Sequence, residues 1–361
     1  MLAIGLMSGT SIDAVDAALI ETDGEGAVRA IAHRAEPWSD AARAELMAAT
    51  QLALSFERPR ASPPIVAAEA LVTRAHVFAV RKLMNEAGVS AAEIDVIGFH
   101  GQTIAHRPDR GWTWQIGDGA ALAGACGVTV VNDFRSADVA AGGQGAPLIP
   151  IYHAALAAAL DKPVALLNLG GVANLTFVPA DGALVAFDVG PANGMLDQWV
   201  AQTTGARFDA GGALAAAGQV HAERLAAMLD HPYFDAAPPK SLDRFDFPLE
   251  AIRGLSTEDG AATLTAFTAH GIAQGLRLLP EVPRRLIVVG GGRHNPVMLA
   301  MIGAAAGIVP EPGEALGLNG DATEAEGFAY MAVRRLKGLP ISFPGTTGVP
   351  EPLGGGVVHA P

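Results

Sequence analysis

One cysteine, Cys126, stands in 361 residues, so no intrachain disulfide is available and a cross-linked secreted scaffold is excluded. It lies in the apolar run 120–131, where a small thiol suits a buried position. Basic residues are also scarce: 24 Lys and Arg face 37 Asp and Glu, a formal net charge of −13. That balance argues against a nucleic-acid partner, whose binding rests on basic patches, and favours solubility. No uninterrupted apolar stretch reaches the ~18 residues that span a bilayer. The longest candidate, 261–279, is broken by His270, Gln274 and Arg277. Residues 1–6 lack the basic segment and long apolar run of an export signal, so the chain is expected to start there as the mature protein, in the cytoplasm.

A further absence is chemical: no Gly-Lys-Ser/Thr phosphate loop occurs. What stands near the start instead is Gly5-Leu6-Met7-Ser8-Gly9-Thr10-Ser11-Ile12-Asp13-Ala14-Val15-Asp16. Gly9 lets the backbone approach an anion, Ser8, Thr10 and Ser11 add hydroxyls, and Asp13 and Asp16 are placed to steer a hydrated metal ion. The same residues also suit a plain hairpin turn. Apolar and small residues resume from 14 to 20 before a polar turn at 21–24, so the loop is read as joining two antiparallel strands rather than a strand and a helix.

At this length two lobes are expected, and half the residues are apolar, enough for a large core. Residues 41–54 and 65–87 read as helices on either side of Pro59, Pro63 and Pro64. Apolar strands at 94–99 and 127–131 run into His100-Gly101-Gln102-Thr103 and Asn132-Asp133-Phe134-Arg135, an arrangement that puts chemistry at the carboxyl edge of a sheet. After a helix around 151–160, residues 164–176 repeat the opening pattern of strand, glycine turn and strand, with Gly170 and Gly171 at the turn. A third glycine run, Gly290-Gly291-Gly292, ends a strand, and Asn295 and Pro296 suit the first positions of a helix. Strands and helices therefore alternate twice, predicting two α/β lobes, 1–162 and 163–361, with their glycine loops facing a central cleft. The Gly- and Pro-rich tail from 336 is expected to run back over the surface, its end available to dock on the first lobe. The turn Pro238-Pro239-Lys240-Ser241 marks an irregular insertion.

Two hairpin phosphate loops followed by a late glycine run resemble the sugar kinase, heat-shock ATPase and actin superfamily, a two-lobed actin-like ATPase fold with ribonuclease H-like domains. Seven motifs in order, from Met7-Ser8-Gly9-Thr10-Ser11 through His100-Gly101-Gln102-Thr103, Asp133-Phe134-Arg135, 141–148, Asn168-Leu169-Gly170-Gly171 and Phe187-Asp188-Val189-Gly190-Pro191 to 290–296, resemble the anhydro-N-acetylmuramic acid kinase family over residues 5 to about 332. The resemblance implies a bacterial peptidoglycan-recycling enzyme. It would use ATP and water to open the anhydro bridge of anhydro-N-acetylmuramic acid while phosphorylating O6, giving N-acetylmuramic acid 6-phosphate.

That chemistry needs a base for the attacking water, and Asp188 matches the family's aspartate; by itself it would also serve as a turn-forming cap for Gly190. The resemblance carries ATP binding onto Gly9, Thr10, Ser11, Ile12, Asp13, Ala14, Val15 and Asp16, with Gly170 and Gly171 as second phosphate turn and Gly290, Gly291 and Gly292 against the adenosine. Mg2+ would be held by Asp13 and Asp16. The sugar's lactyl carboxylate calls for a cation, and Arg135 offers a guanidinium fork, unless it pairs with Asp133 or Asp138. Glu324 matches a family glutamate near the sugar, or else only favours the start of its helix. His100 and Gln102 either contact sugar or order their loop, and Asp118 and the 142–145 loop are read as pocket walls. Ala14, Val189 and the run Pro191-Ala192-Asn193-Gly194 depart from the family pattern, the loss of a threonine hydroxyl at 189 loosening the support of Asp188. The family also implies a homodimer. Within the superfamily, a hexokinase-like kinase acting on a free hydroxyl and a non-catalytic ATP-dependent switch are the competing readings.

Overall fold

A computed structural model describes residues 1–181, 184–242 and 247–361. The chain divides into two compact units, one formed by Met1–Ala158 with Ala322–Pro361, the other by Ala159–Asp321. Strands β1 (Leu2–Ser8), β2 (Ala14–Thr22) and β3 (Val28–Pro37) open the first unit, followed by helices α1 (Asp40–Leu54) and α2 (Pro63–Ala87), strands β4 (Val96–Arg107) and β5 (Trp112–Ile116), helix α3 (Gly119–Cys126), strand β6 (Val130–Asn132), and helices α4 (Ser136–Ala140) and α5 (Pro150–Leu156). The second unit holds β7 (Val164–Leu169), β8 (Val172–Val178), β9 (Val185–Pro191), α6 (Asn193–Thr204), α7 (Ala213–Ala217), α8 (Ala222–Leu229), α9 (Thr257–Arg277), β10 (Arg285–Val289), α10 (Pro296–Ala306) and β11 (Pro310–Pro312). The chain then returns to the first unit with α11 (Thr323–Leu336), α12 (Pro344–Thr347) and β12 (Val357–His359).

The two sheets repeat one plan. In the first the order is β12-β6-β4-β1-β2-β3, with β5 added to β4; in the second it is β11-β10-β7-β8-β9. Each has an antiparallel three-stranded meander, β1-β2-β3 or β7-β8-β9, extended beyond its first strand by two parallel strands. The glycine loop of each unit joins the first two strands of its meander, as the sequence pattern predicts.

Period-two alternation sorts the first sheet's side chains onto two faces. Ile4, Leu6, Ala17, Leu19, Ile97 and Phe99 join a core with residues of α1, α2 and α3, whereas Ala3, Ile20 and Val96 pack with Tyr152 and the α11 residues Phe328 to Val333. Helix α11 comes unusually close. Gly5 and Gly98 lie opposite each other on β1 and β4, and a β-carbon there would stand 1.8 Å from the Ala325 carbonyl oxygen and 2.1 Å from that of Phe328. Only hydrogen fits at this contact, so α11 belongs to the first unit although the division at 162/163 expected it with the second. The tail from 336 stays with that unit too, β12 pairing antiparallel with β6.

Several boundaries move. Strand β4 continues through His100, Gln102 and Thr103 rather than ending before them, because Gly101, at φ 75°, takes up an irregularity within the strand. Residues 119–126 form a helix with Asp118 as N-cap, its carboxylate accepting from the Ala121 N–H, so Asp118 starts this helix. From the sequence, 183–187 reads as a strand that ends before Asp188; Ala183 falls outside the described residues, and β9 runs on through Asp188 to Pro191. Among the described residues one helix, α2, is long and apolar enough to cross a membrane by length and composition, in place of 261–279. Its buried face, including Ile65, Ala68, Val72, Ala79 and Leu83, packs into the first unit's core. Cys126 is buried as expected, and burial pushes its thiol pKa up.

Candidate active site

In the first unit, the β1–β2 loop is tied by its carbonyls. Gln102 Nε2 donates to Gly9 O at 3.1 Å, Arg43 Nη2 to Ser11 O at 3.2 Å, and the Trp38 amide to Asp13 O at 3.0 Å. Ser8 donates to Gln102 Oε1 at 2.6 Å and itself accepts from the Trp38 indole N–H at 3.1 Å, which fixes Gln102 in place. With these carbonyls held, the amides of Thr10 and Ser11 have no acceptor among the described residues, the arrangement an anion requires. Ile12 carries the turn at φ 54°, so the backbone strain falls there and Ala14 sits in ordinary extended β2. Ile12 and Val15 point into the core and offer a ligand only their backbone.

Asp13 and Asp16 have basic neighbours, Arg43 at 3.4 Å and His33 at 3.3 Å. Among the described residues no cluster of three or more His, Cys, Asp or Glu could hold a metal by itself. Two carboxylates beside a loop with unengaged amides suit Mg2+, which binds one or two carboxylates together with phosphate oxygens and water.

Arg135 and Glu324 lie in the same unit. Arg135 Nε donates to His100 Nε2 at 3.0 Å and Nη1 to Gly145 O at 2.8 Å; no ion pair to Asp133 or Asp138 forms, and Asp133 instead accepts from the Ser136 amide. The His100 Nδ1 contact with Gly101 O, 2.9 Å, requires the proton on Nδ1, so Nε2 is free to accept. Burial, then the Arg135 charge, holds His100 well below its ordinary range, so it stays neutral and orients the guanidinium. Desolvation lowers Arg135 to about 10, leaving it charged at neutral pH and poorly hydrated, with Nη2 unengaged among the described residues. Glu324 retains an exposed edge at the start of α11, yet the dense surroundings raise its pKa, with Arg135 opposing and Asp16 adding to the rise.

The second unit repeats the loop design. The carbonyls of Leu169, Gly170 and Gly171 are taken by Asn193 Nδ2 and by the amides of Ala192, Asn193 and Gly194 at 2.9 to 3.1 Å. The departing run 191–194 is thus the support of this turn, and a β-carbon on Gly194 would stand 2.9 Å from Gly171 O. Gly290 and Gly292 are needed for packing against Asn168 and Leu169, whereas Gly291 has open space above it. Of the three, Gly291 is the one free to meet a ligand.

Asp188 lies in β9 opposite Asn174. Its Oδ2 accepts from the Leu242 amide at 2.8 Å, its amide donates to Lys240 O at 3.0 Å, and its carbonyl accepts from Tyr233 OH at 2.5 Å. Burial raises the carboxyl from 3.8 to about 7, the Leu242 N–H opposing. Lys240 Nζ donates to the Tyr233 and Phe234 carbonyls, so the irregular segment at 238–242 forms a platform beneath Asp188. In the sequence this segment is marked only as an irregular insertion. Its Pro-Pro-Lys signal marks a rigid turn but not what the turn supports. Val189, the other departure, is buried against Gly275 and forms part of the core.

The family profile described as anhydro-N-acetylmuramic acid kinase matches residues 1–360. The chain belongs to the anhydro-N-acetylmuramic acid kinase family. Relatives bearing that family name include one from Rhizorhabdus wittichii, 67% identical over all of this chain and 99% of the relative, and one from Zymomonas mobilis subsp. mobilis, 54% identical over 99% of this chain and all of the relative. Members of this family are kinases that phosphorylate an alcohol group. Similar solved structures include an activator of 2-hydroxyisocaproyl-CoA dehydratase from Clostridium difficile with bound ADPNP, at 13% identity, TM-score 0.49 and coverage of 94% of this chain and 96% of the other. Another is a ROK family glucokinase from Streptomyces griseus in complex with glucose and AMPPNP, at 16% identity, TM-score 0.40 and coverage of 92% and 99%.

Proposed function

We propose that this kinase uses ATP and water to convert anhydro-N-acetylmuramic acid to N-acetylmuramic acid 6-phosphate, as a peptidoglycan-recycling enzyme of the cytoplasm. Family membership supports the kinase class and the sugar; a single cysteine, free and buried, suits the compartment. The observation that carries the hydrolytic step is Asp188, a desolvated carboxylate whose pKa is raised to about 7 and whose backbone is pinned on both sides. A base poised near the working pH balances the deprotonated fraction against the drive for proton transfer.

In the proposed reaction Asp188 takes a proton from water as the water oxygen bonds to the anomeric carbon. The anomeric carbon–O6 bond breaks, O6 bonds to the γ-phosphorus, and the bridging bond to ADP breaks. Amides of the 9–16 loop and of Gly170 and Gly171 bind the phosphates, Gly291 meets the nucleoside, and Arg135 binds the lactyl carboxylate while Glu324 faces the sugar. Mg2+, held by Asp13 and Asp16, would supply charge neutralisation to the phosphates. The protein is proposed to act as a homodimer.

The test is product analysis in 18O-labelled water, read at once against a no-enzyme exchange control. A ring-opened 6-phosphate with label at the anomeric oxygen is expected. A phosphorylated product that keeps its anhydro bridge would instead identify a hexokinase-like kinase acting on a free hydroxyl, and ATP binding without sugar-dependent ADP release would identify a switch.

A further inference from the structure

The 142–145 loop and the C-terminal tail have no part in the reaction described above, yet the loop contacts Arg135 and the tail contacts the loop. Asp138, in α4, is 2% exposed and its carboxylate joins two distant segments. Oδ1 accepts from the Gly145 amide at 2.6 Å, and Oδ2 accepts from the Thr347 hydroxyl, also at 2.6 Å. Thr347 is fully buried, and its carbonyl accepts from the Gln144 amide at 2.7 Å. Gly145, held in this way, presents the carbonyl to which Arg135 Nη1 donates.

Two of the loop's glycines are tightly packed. A β-carbon on Gly143 would stand 2.2 Å from Asp138 Oδ1 and 2.6 Å from Val349, and one on Gly145 would stand 2.6 Å from Val139. The tail also brackets the other side of the arginine's segment, with β12 paired to β6 at Asn132 and Gly355 lying against Phe134 O. Short hydrogen bonds to a buried carboxylate are stronger than neutral ones and fix direction as well as distance.

We infer that Thr347 is a positioning residue for the sugar-acid site, setting the orientation of the Arg135 guanidinium through Asp138 and the 142–145 loop. This rests on the reading of Arg135 as the group that binds the substrate carboxylate. The chain of contacts predicts a specific defect. Without the Thr347 hydroxyl, recognition of the carboxylate weakens, while nucleotide binding and the chemical step continue.

The experiment compares Thr347→Val, Thr347→Ser and Arg135→Gln in the full-length protein, with anhydro-N-acetylmuramic acid and its lactyl amide as substrates. Thr347→Val is expected to raise KM for the acid on the order of tenfold, to leave KM for ATP and kcat within about twofold, and to leave KM for the amide unchanged. Thr347→Ser restores the wild-type KM, and adding Thr347→Val to Arg135→Gln has no further effect. An unchanged KM for the acid, or an equal rise for acid and amide, overturns the inference. Should Arg135→Gln leave the acid-to-amide preference intact, the carboxylate reading of Arg135 itself fails, a separate result. If Thr347→Val does not fold, Asp138→Asn, assayed by calorimetric binding of the two sugars at low temperature, gives the same discrimination.

Discussion

Replacing Asp188 by Asn tests the proposed mechanism through two independent readouts. The carboxyl moves from 3.8 to about 7 on folding because burial disfavours its charge. At ~1.4 kcal/mol per tenfold change in proton affinity, the ionised form costs the fold roughly 4 kcal/mol. The sign follows from the direction: the folded pKa lies above the unfolded one, so the stability of the protonated state is fully present below about pH 4 and is lost as pH rises to about 7. Asparagine keeps the acceptor for the Leu242 amide and removes the charge. Asp188→Asn is therefore expected to be more stable than wild type at pH 8.5, by about 1 to 3 kcal/mol after relaxation around the site, with the gap clearly narrower at pH 5 and closed near pH 4. Turnover should drop by about 1000-fold, with nucleotide affinity retained, since a positioned base contributes 10²–10⁴-fold. Wild-type single-turnover rates by rapid quench should rise about tenfold per pH unit up to about 7 and then level off. A variant that keeps a tenth of wild-type turnover, or a stability gap that is the same at both pH values, would refute the assignment.

Trp38→Phe removes the indole donor to Ser8 and loosens the brace on the 9–16 loop, so KM for ATP is expected to rise about five- to tenfold by steady-state kinetics, on the scale of one lost hydrogen bond. Gly98→Ala drives a methyl into the Phe328 carbonyl and should cost 3 kcal/mol or more, seen as loss of soluble protein or a large fall in melting temperature, whereas Gly291→Ala, with open space above it, should leave melting unchanged and weaken nucleotide binding alone. His76 is fully buried with Nε2 unpartnered among the described residues, and burial lowers its pKa to about 4, so the neutral form stabilises the fold above about pH 6.5 and that contribution is lost as pH falls toward 4. His76→Leu should accordingly flatten the decline of melting temperature between pH 6.5 and 4.5.

The glycine hairpins at 9–16 and 170–171 were legible because strand, turn and strand are local patterns and the second echoes the first. What the sequence could not show are partnerships made across long separations. Gly5 and Gly98 read as unremarkable strand glycines, and only their common contact with α11 explains them and moves residues 322–336 into the first unit. Asp188 stands out in its motif, but the platform of Tyr233, Lys240 and Leu242 that orients it is gathered around a turn whose sequence advertises rigidity alone. His100 likewise offered no hint that it would stay neutral as an acceptor for Arg135.

The return of α11 to the first unit has a consequence for synthesis. The second unit, Ala159–Asp321, is one continuous stretch and is complete once residue 321 has left the ribosome. The first waits longer, with the apolar face formed by Ala3, Ile20, Val96 and Phe134 covered only in part, by Leu148, Tyr152 and Ala155, until Phe328 to Val333 arrive. A nascent chain stalled before residue 322 therefore presents a partly exposed sheet face to chaperones, and truncations that remove α11 should aggregate through the unit made first but finished last.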